Sequence, residues 1–277
     1  MQKPFERILL ATEHTEFDSG AERVAIEMAR RCGLPLMAII PIVSNPEFES
    51  AAPELASRAE QEAASKIAAL QNLAQHAGVR LDVTVRRGEE PAQEIVEEAI
   101  RRQADLLITR RRGKRSFLAN LLVGEMVGKV AAQAPCSVLM VPRASHMWSK
   151  GVLLALDYRH PSETLTELAA TIAGICSIPL TIASVTEAKG EETAADAVLQ
   201  QHVARANAAG TTTSAAQLSG KVSREIVQAA SARGADLIVV AHGHRPEFRK
   251  ALGHVAREII GLAETAVLVA KTPMPHE

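Results

Sequence analysis

The sequence predicts an α/β protein made of two repeated, open-twisted parallel five-stranded sheets with helices on both faces, and three observations predict it. Short apolar runs alternate along the chain with amphipathic stretches of helical period. A stretch of the first half, ADLLITRRRGKRSFLANLLVGEMVGKVAAQAPCSVLMV from Ala104 to Val141, returns in the second half as ADLIVVAHGHRPEFRKALGHVAREIIGLAETAVLVA from Ala235 to Ala270. Equivalent residues recur at an interval that shortens along the chain: Asp157 follows Glu13 by 144 positions, Ala235 follows Ala104 by 131 and Gly253 follows Gly124 by 129. The chain is therefore a duplication whose second copy is shorter, mostly in the loop and helix after its second strand.

The elements follow in order. Ile8 to Ala11 is a short apolar run that ends at Thr12-Glu13, and Ala21, Val24, Ala25, Met28 and Ala29 then fall at helical spacing. Gly33 stands just past the end of that helix, where a left-handed cap is expected. Leu36 to Val43 reads as a fully buried strand, and the prolines and asparagine of Ser44 to Pro53 as a loop. From Glu54 a long amphipathic helix runs to Gly78, and Leu81, Val83 and Val85 alternate with polar residues as in a strand nearer the sheet edge. Pro91 opens a helix carrying Ile95, Val96, Ala99 and Ile100. The fourth strand ends at Thr109, where a polar loop begins, and the helix Leu121 to Ala134 and the strand Val138 to Val141 complete the first copy. Pro142 to Lys150, with the only tryptophan, Trp148, reads as a linker, after which the cycle restarts at Val152. The predicted domains are residues 1–143 and 150–273. Parallel strands joined by helices imply right-handed crossovers and a sheet covered on both sides.

With 277 residues, each half is long enough to bury its own core. A net charge of -1 supplies no global attraction for nucleic acid or acidic membranes. The three cysteines, Cys32, Cys136 and Cys176, are far apart and set in apolar patterns, which fits buried thiols in a reducing cytoplasm better than a disulfide or metal framework. No signal peptide and no membrane-length apolar run is read in the sequence, so the expected location is the cytoplasm.

Four stretches of the chain, Ile8 to Glu13, Ala104 to Val141, Val152 to Asp157 and Ala235 to Ala270, resemble the universal stress protein family in tandem, and the phrase LLVGEMVGKVAAQAPCSVLMV matches the end of that domain closely. The resemblance implies the strand order 3-2-1-4-5, pairing of the two halves as a pseudo-dimer through Val138 to Val141 and Val267 to Ala270, and a role in stress survival without a defined catalytic turnover. Further homodimerisation and an unidentified protein partner belong to the same expectation. Some members bind ATP or AMP and others bind no nucleotide.

A switch-point crevice is expected beyond the carboxyl ends of strands one and four on physical grounds as well. Its candidate residues are Thr12 and Glu13 in the first copy and Leu156 and Asp157 in the second, where a strand-end carboxylate either meets a nucleoside or caps the next turn. Nucleotide-binding members resemble the pattern Gly-x2-Gly-x9-Gly-Ser/Thr, in which glycines admit phosphate to the backbone and a hydroxyl stands at a helix start. The first copy has Arg110 at the first glycine position, then Gly113 and Gly124 one residue too far apart, and Glu125 in place of the hydroxyl. A carboxylate there repels phosphate. The second copy keeps the spacing of Gly243 and Gly253, has Val240 or, with one residue missing, Ala241 at the first position, and has His254 in place of the hydroxyl. Its pocket is the better candidate for ATP or AMP, with magnesium accompanying ATP. The competing reading is a scaffold or protein-interaction member with degenerate pockets.

Other constellations carry less. Arg110, Arg111, Arg112, Lys114 and Arg115 read as a phosphate clamp, a nucleic-acid patch, or a solvated loop neutralised by Glu89, Glu90, Glu94, Glu97 and Glu98. Without an aromatic platform, nucleic acid is not the expected partner. His242, His244 and His254 offer metal-ligating nitrogens, but two histidines one residue apart point to opposite faces when extended and no cysteine joins them, so no metal is assigned. Gly113-Lys114-Arg115-Ser116 lacks the leading glycine and the lysine-adjacent hydroxyl of a phosphate-binding loop, there is no Gly-x-Ser-x-Gly elbow, and no enzyme is expected.

Overall fold

The computed structural model describes residues 3–44, 53–111, 126–243 and 252–271. Two compact units divide the chain, one spanning Phe5–Met147 and the other beginning at Trp148.

In the first unit the strands are β1 (Ile8–Ala11), β2 (Leu36–Val43), β3 (Leu81–Gly88), β4 (Leu106–Arg111) and β5 (Ser137–Pro142), in the order β3-β2-β1-β4-β5. All neighbours are parallel, with Ile8 level with both Leu36 and Leu106. Helix α1 (Ser19–Cys32) packs on β1, β4 and β5, α2 (Pro53–His76) on β3, and α3 (Pro91–Arg101) on β2 and β3. Residues 126–133 form α4, whose expected start falls outside the described residues. Gly33 caps α1 in the left-handed conformation at φ 60°.

The second unit repeats the plan with β6 (Val152–Ala155), β7 (Leu180–Thr186), β8 (Thr213–Ser219), β9 (Leu237–Ala241) and β10 (Ala266–Ala270), in the order β10-β9-β6-β7-β8. Its helices are α5 (Glu163–Cys176), α6 (Glu192–Ala208), α7 (Val222–Ala232) and α8 (His254–Leu262). β1, β4, β5, β9 and β10 are buried almost throughout, as short apolar runs in a covered parallel sheet must be.

Four expectations change. β2 is not buried to its end: Val43 is 70% exposed, because β1 stops at Ala11 opposite Ile39 and the last residues of β2 keep β3 as their only strand neighbour. β4 does not stop at Thr109 but carries Arg110 and Arg111 as buried strand residues. Trp148, in the stretch read as a linker, is buried and groups with the second unit. Glu94 and Glu97 bond Arg86, and Glu98 bonds Arg101 and Arg102, so these acids of α3 have arginine partners outside the basic run.

Candidate functional site

The order of each sheet reverses between β1 and β4 in the first unit and between β6 and β9 in the second, and in an open parallel sheet the crevice for a ligand lies beyond the carboxyl ends of the strands at such a reversal. The two crevices are furnished differently.

In the first, the Thr12 amide continues the ladder to the Ile39 carbonyl (3.1 Å). Its buried hydroxyl donates to Glu22 Oε1 (2.7 Å) and accepts from the His14 amide (2.8 Å), while His14 Nδ1 lies 2.9 Å from the same carboxylate. Thr12 is thus bonded on both sides within the protein. Asp18 stands at the N-cap of α1 without capping it through its side chain. Its carboxylate instead accepts from the amide and hydroxyl of Thr15 (2.9 and 2.5 Å). Arg110 Nη1 donates to Thr15 Oγ1 and Asp18 Oδ2, each at 3.1 Å, and Nη2 lies 3.1 Å from Glu13 Oε2. The guanidinium therefore bridges from the end of β4 to the loop after β1. Gly113 and Gly124 lie outside the described residues, as do Arg112, Lys114, Arg115 and Glu125.

In the second crevice, buried Leu156 donates its amide to the Ala183 carbonyl (2.8 Å). Asp157 follows with a side chain 46% exposed. One of its oxygens accepts from the Arg159 amide (3.0 Å), the other lies 3.2 Å from His160 Nδ1, and this turn presents the carboxylate beyond the strand end. The Arg159 guanidinium is drawn away to Glu191, with two bonds of 2.7 and 2.8 Å, and lies over the Tyr158 ring at 5.3 Å. Bonds from Arg159 and Tyr158 hold the Glu191 carboxyl below its ordinary pKa, and the same glutamate raises that of the Tyr158 phenol.

Register settles the position that the glycine spacing left open. Arg110 is paired with Val141 in β5, and Ala241 is paired with Ala270 in β10, so Ala241 occupies the place of Arg110. Past Ala241, the His242 amide donates to the Ala270 carbonyl (3.0 Å) and the Gly253 amide to the His242 carbonyl (3.2 Å). Gly243 has φ 138°, and a Cβ on Gly253 would lie 3.2 Å from the His242 oxygen and 3.7 Å from the Gly243 Cα. The two glycines thus stand against each other at the start of α8, where the positive φ of Gly243 favours glycine and a side chain on Gly253 would crowd the His242 carbonyl. His254, the first residue of α8, is 77% exposed, with Nε2 3.4 Å from Glu258 Oε1.

Glu258 also accepts from Lys221 Nζ (2.5 Å) and from buried Ser223 Oγ (2.6 Å). These bonds hold its carboxyl below the ordinary glutamate pKa, so it stays ionised beside His254. The i, i+4 spacing of His254 and Glu258 was readable in the sequence; Lys221 and Ser223, brought in by α7, gave no local signal. Nor did Asp18 and Thr15 as partners of Arg110. Among the described residues, no group of three His, Cys, Asp or Glu side chains is placed to hold a metal ion, and His244 lies outside them. No described helix is long and apolar enough to cross a membrane.

Two matches to the model of the universal stress protein family cover residues 4–142 and 149–271. The chain belongs to the universal stress protein family. It is similar to a universal stress protein of Thermus aquaticus, with 33% identity over 144 residues that make up 50% of this chain and 98% of that one. It is also similar to one of Methanocaldococcus jannaschii, with 30% identity over 146 residues, 50% of this chain and 83% of that one. The crystal structure of a universal stress protein from Archaeoglobus fulgidus DSM 4304 matches 97% of both chains with a TM-score of 0.74 at 19% identity, which shows the shared two-unit fold. As a universal stress protein with two family domains, the chain carries equivalent strand-order reversals in its two units, one spanned by its own arginine and one with alanine there.

Proposed function

We propose that this universal stress protein is an adenine-nucleotide binding or sensing module, that its second unit holds ATP or AMP, and that it works in the cytoplasm through a protein partner without catalytic turnover. The observation that carries the reading is the meeting of Gly243 and Gly253 at the start of α8, beyond the strand end that presents Asp157. The Gly253 amide is bonded to the His242 carbonyl, and the first turn of α8 that follows offers helix N-terminal amides and a favourable dipole to phosphate. Asp157, half exposed, is suited to accept from the hydroxyls of a ribose, and at the end of β9 Ala241 puts no long side chain of its own where Arg110 stands in the first unit. His254 adds a donor that attracts phosphate when protonated, while ionised Glu258 beside it works against that attraction. Magnesium enters this reading only as the counter-ion of ATP.

Titration calorimetry of the full chain with ATP and AMP, with and without magnesium, tests it. The expected result is one equivalent per chain, weakened about tenfold or more in D157A through the lost ribose bonds. No heat with either nucleotide, together with an unchanged melting temperature, would leave the scaffold reading and direct attention to partner proteins.

A further inference from the structure

We propose that Arg110 is a built-in ligand of the first unit: its guanidinium fills the switch-point crevice, so that unit admits no nucleotide or other anionic ligand and the chain carries one open crevice, in the second unit. The openness of the second crevice to nucleotide rests on the function proposed above; the closure of the first does not.

The clamp has three parts, all in the first unit. Arg110 comes from the end of β4 with a side chain only 6% exposed, Asp18 from the start of α1 at 1%, and Glu13 from the start of the loop after β1 at 38%. Thr15 Oγ1 accepts from the same guanidinium nitrogen that reaches Asp18. A buried guanidinium needs carboxylate and oxygen acceptors in its plane, and this one has them on two edges. Asp18 serves the arginine instead of capping α1. Without Arg110 the carboxylates of Glu13 and Asp18 would lose the cation they share, while buried Glu22, one turn beyond Asp18, is held by Thr12 and His14. Such a site repels phosphate and suits a planar cation.

The second unit keeps a carboxylate at the position of Glu13, in Asp157, but lacks the other two parts. Ala241 replaces Arg110 in register, and Ser162, at the position of Asp18, makes an ordinary N-cap by accepting from the Leu165 amide (3.3 Å). Arg159, at the position of Thr15, is bound to Glu191. The equivalences at 159 and 162 follow from the 144-residue interval that relates Glu13 to Asp157. Three coordinated differences at one place separate the units: among the described residues, the first is satisfied internally by an arginine from the end of β4, and the second has alanine there.

Thermal unfolding of full-length R110A in millimolar methylguanidinium, with tetramethylammonium at equal ionic strength as control, tests the closure. The melting temperature is expected to fall by about 5 °C or more on loss of the buried pair, and methylguanidinium alone is expected to restore at least part of it, with no rise in the unsubstituted protein. No fall, or an equal response to both cations, would overturn the proposal. Should R110A not fold, R110K keeps the charge without the fork; a melting temperature below that of the parent is expected, and equality would overturn the proposal. The double substitution A241R/S162D then transplants the clamp and is expected to weaken ATP uptake by about tenfold or more; undiminished uptake would show that the clamp does not exclude nucleotide. A parent protein that takes up no ATP would defeat the nucleotide reading, while the methylguanidinium comparison would still decide the closure.

Discussion

Glu98 is fully buried at its carboxylate, yet it sits on a helix whose next turn carries two arginines. Its oxygens accept from Arg101 at 2.6 and 2.8 Å and from Arg102 Nε at 3.0 Å. Burial pushes its pKa up, but the bonds from Arg101 and Arg102 outweigh burial and hold it below the ordinary glutamate value. Because the folded pKa lies below the unfolded one, the stabilisation is complete above the unfolded value, about 4.3, and is lost as pH falls through the folded value. E98Q is expected to cost about 2 kcal/mol near neutrality, less than the roughly 3–5 of a fully enclosed broken pair because both arginines reach solvent. Urea titrations from pH 3 to 7 would check both parts, with the difference between parent and E98Q shrinking toward the acid end, in a range set roughly by the reference pKa. The acid and its arginines at i+3 and i+4 were legible as a helical charge pattern. Their burial was not, because Thr84 and Asp82, which help seat Arg102, come from β3.

At the scale of an element, α1 owes its seat to a residue without a side chain. A Cβ on Gly20 would lie 2.1 Å from the Pro142 carbonyl oxygen and 2.8 Å from that of Arg143, both backbone atoms at the end of β5. One turn on, Arg23 donates to the Arg143 and Ser145 carbonyls, tying the helix to the same segment. G20A must therefore push α1 off the sheet, with an expected loss of about 1–3 kcal/mol in chemical unfolding, although alanine favours an isolated helix by about 1 kcal/mol. A gain in stability would mean that the close contact is not a constraint. Sequence reading found the body of this helix from its apolar period and its end from Gly33. The role of its start escaped it, because Asp18 has the composition of an N-cap and the partner that claims it lies 92 residues away.

Across the whole molecule, duplicated units with unlike crevices should respond unequally to one ligand. Hydrogen exchange with and without saturating ATP is expected to show added protection in residues 156–158, 237–243 and 252–258, and none in residues 8–22 or 106–111. Equal gains in both sets would contradict the inequality of the units. The duplication itself was plain in the sequence, since covered parallel strands are short apolar runs and the turn and helix signals between them recur in the same order. The candidate residues Asp157, Gly243 and Gly253 were legible too, because a strand-end acid and spaced glycines are local features. The sequence by itself determined the repeated α/β units, their strand positions and the strand ends at which a ligand site is to be sought. Only the tertiary structure decided what fills those ends: that Arg110 and Arg111 continue β4 and are buried, and that Arg110 crosses to Glu13 and Asp18 while Ala241 crosses to nothing. The physical reason is that an arginine at a strand end reads as loop by hydropathy, and its place inside the fold depends on carboxylates that meet it only once the sheet has formed.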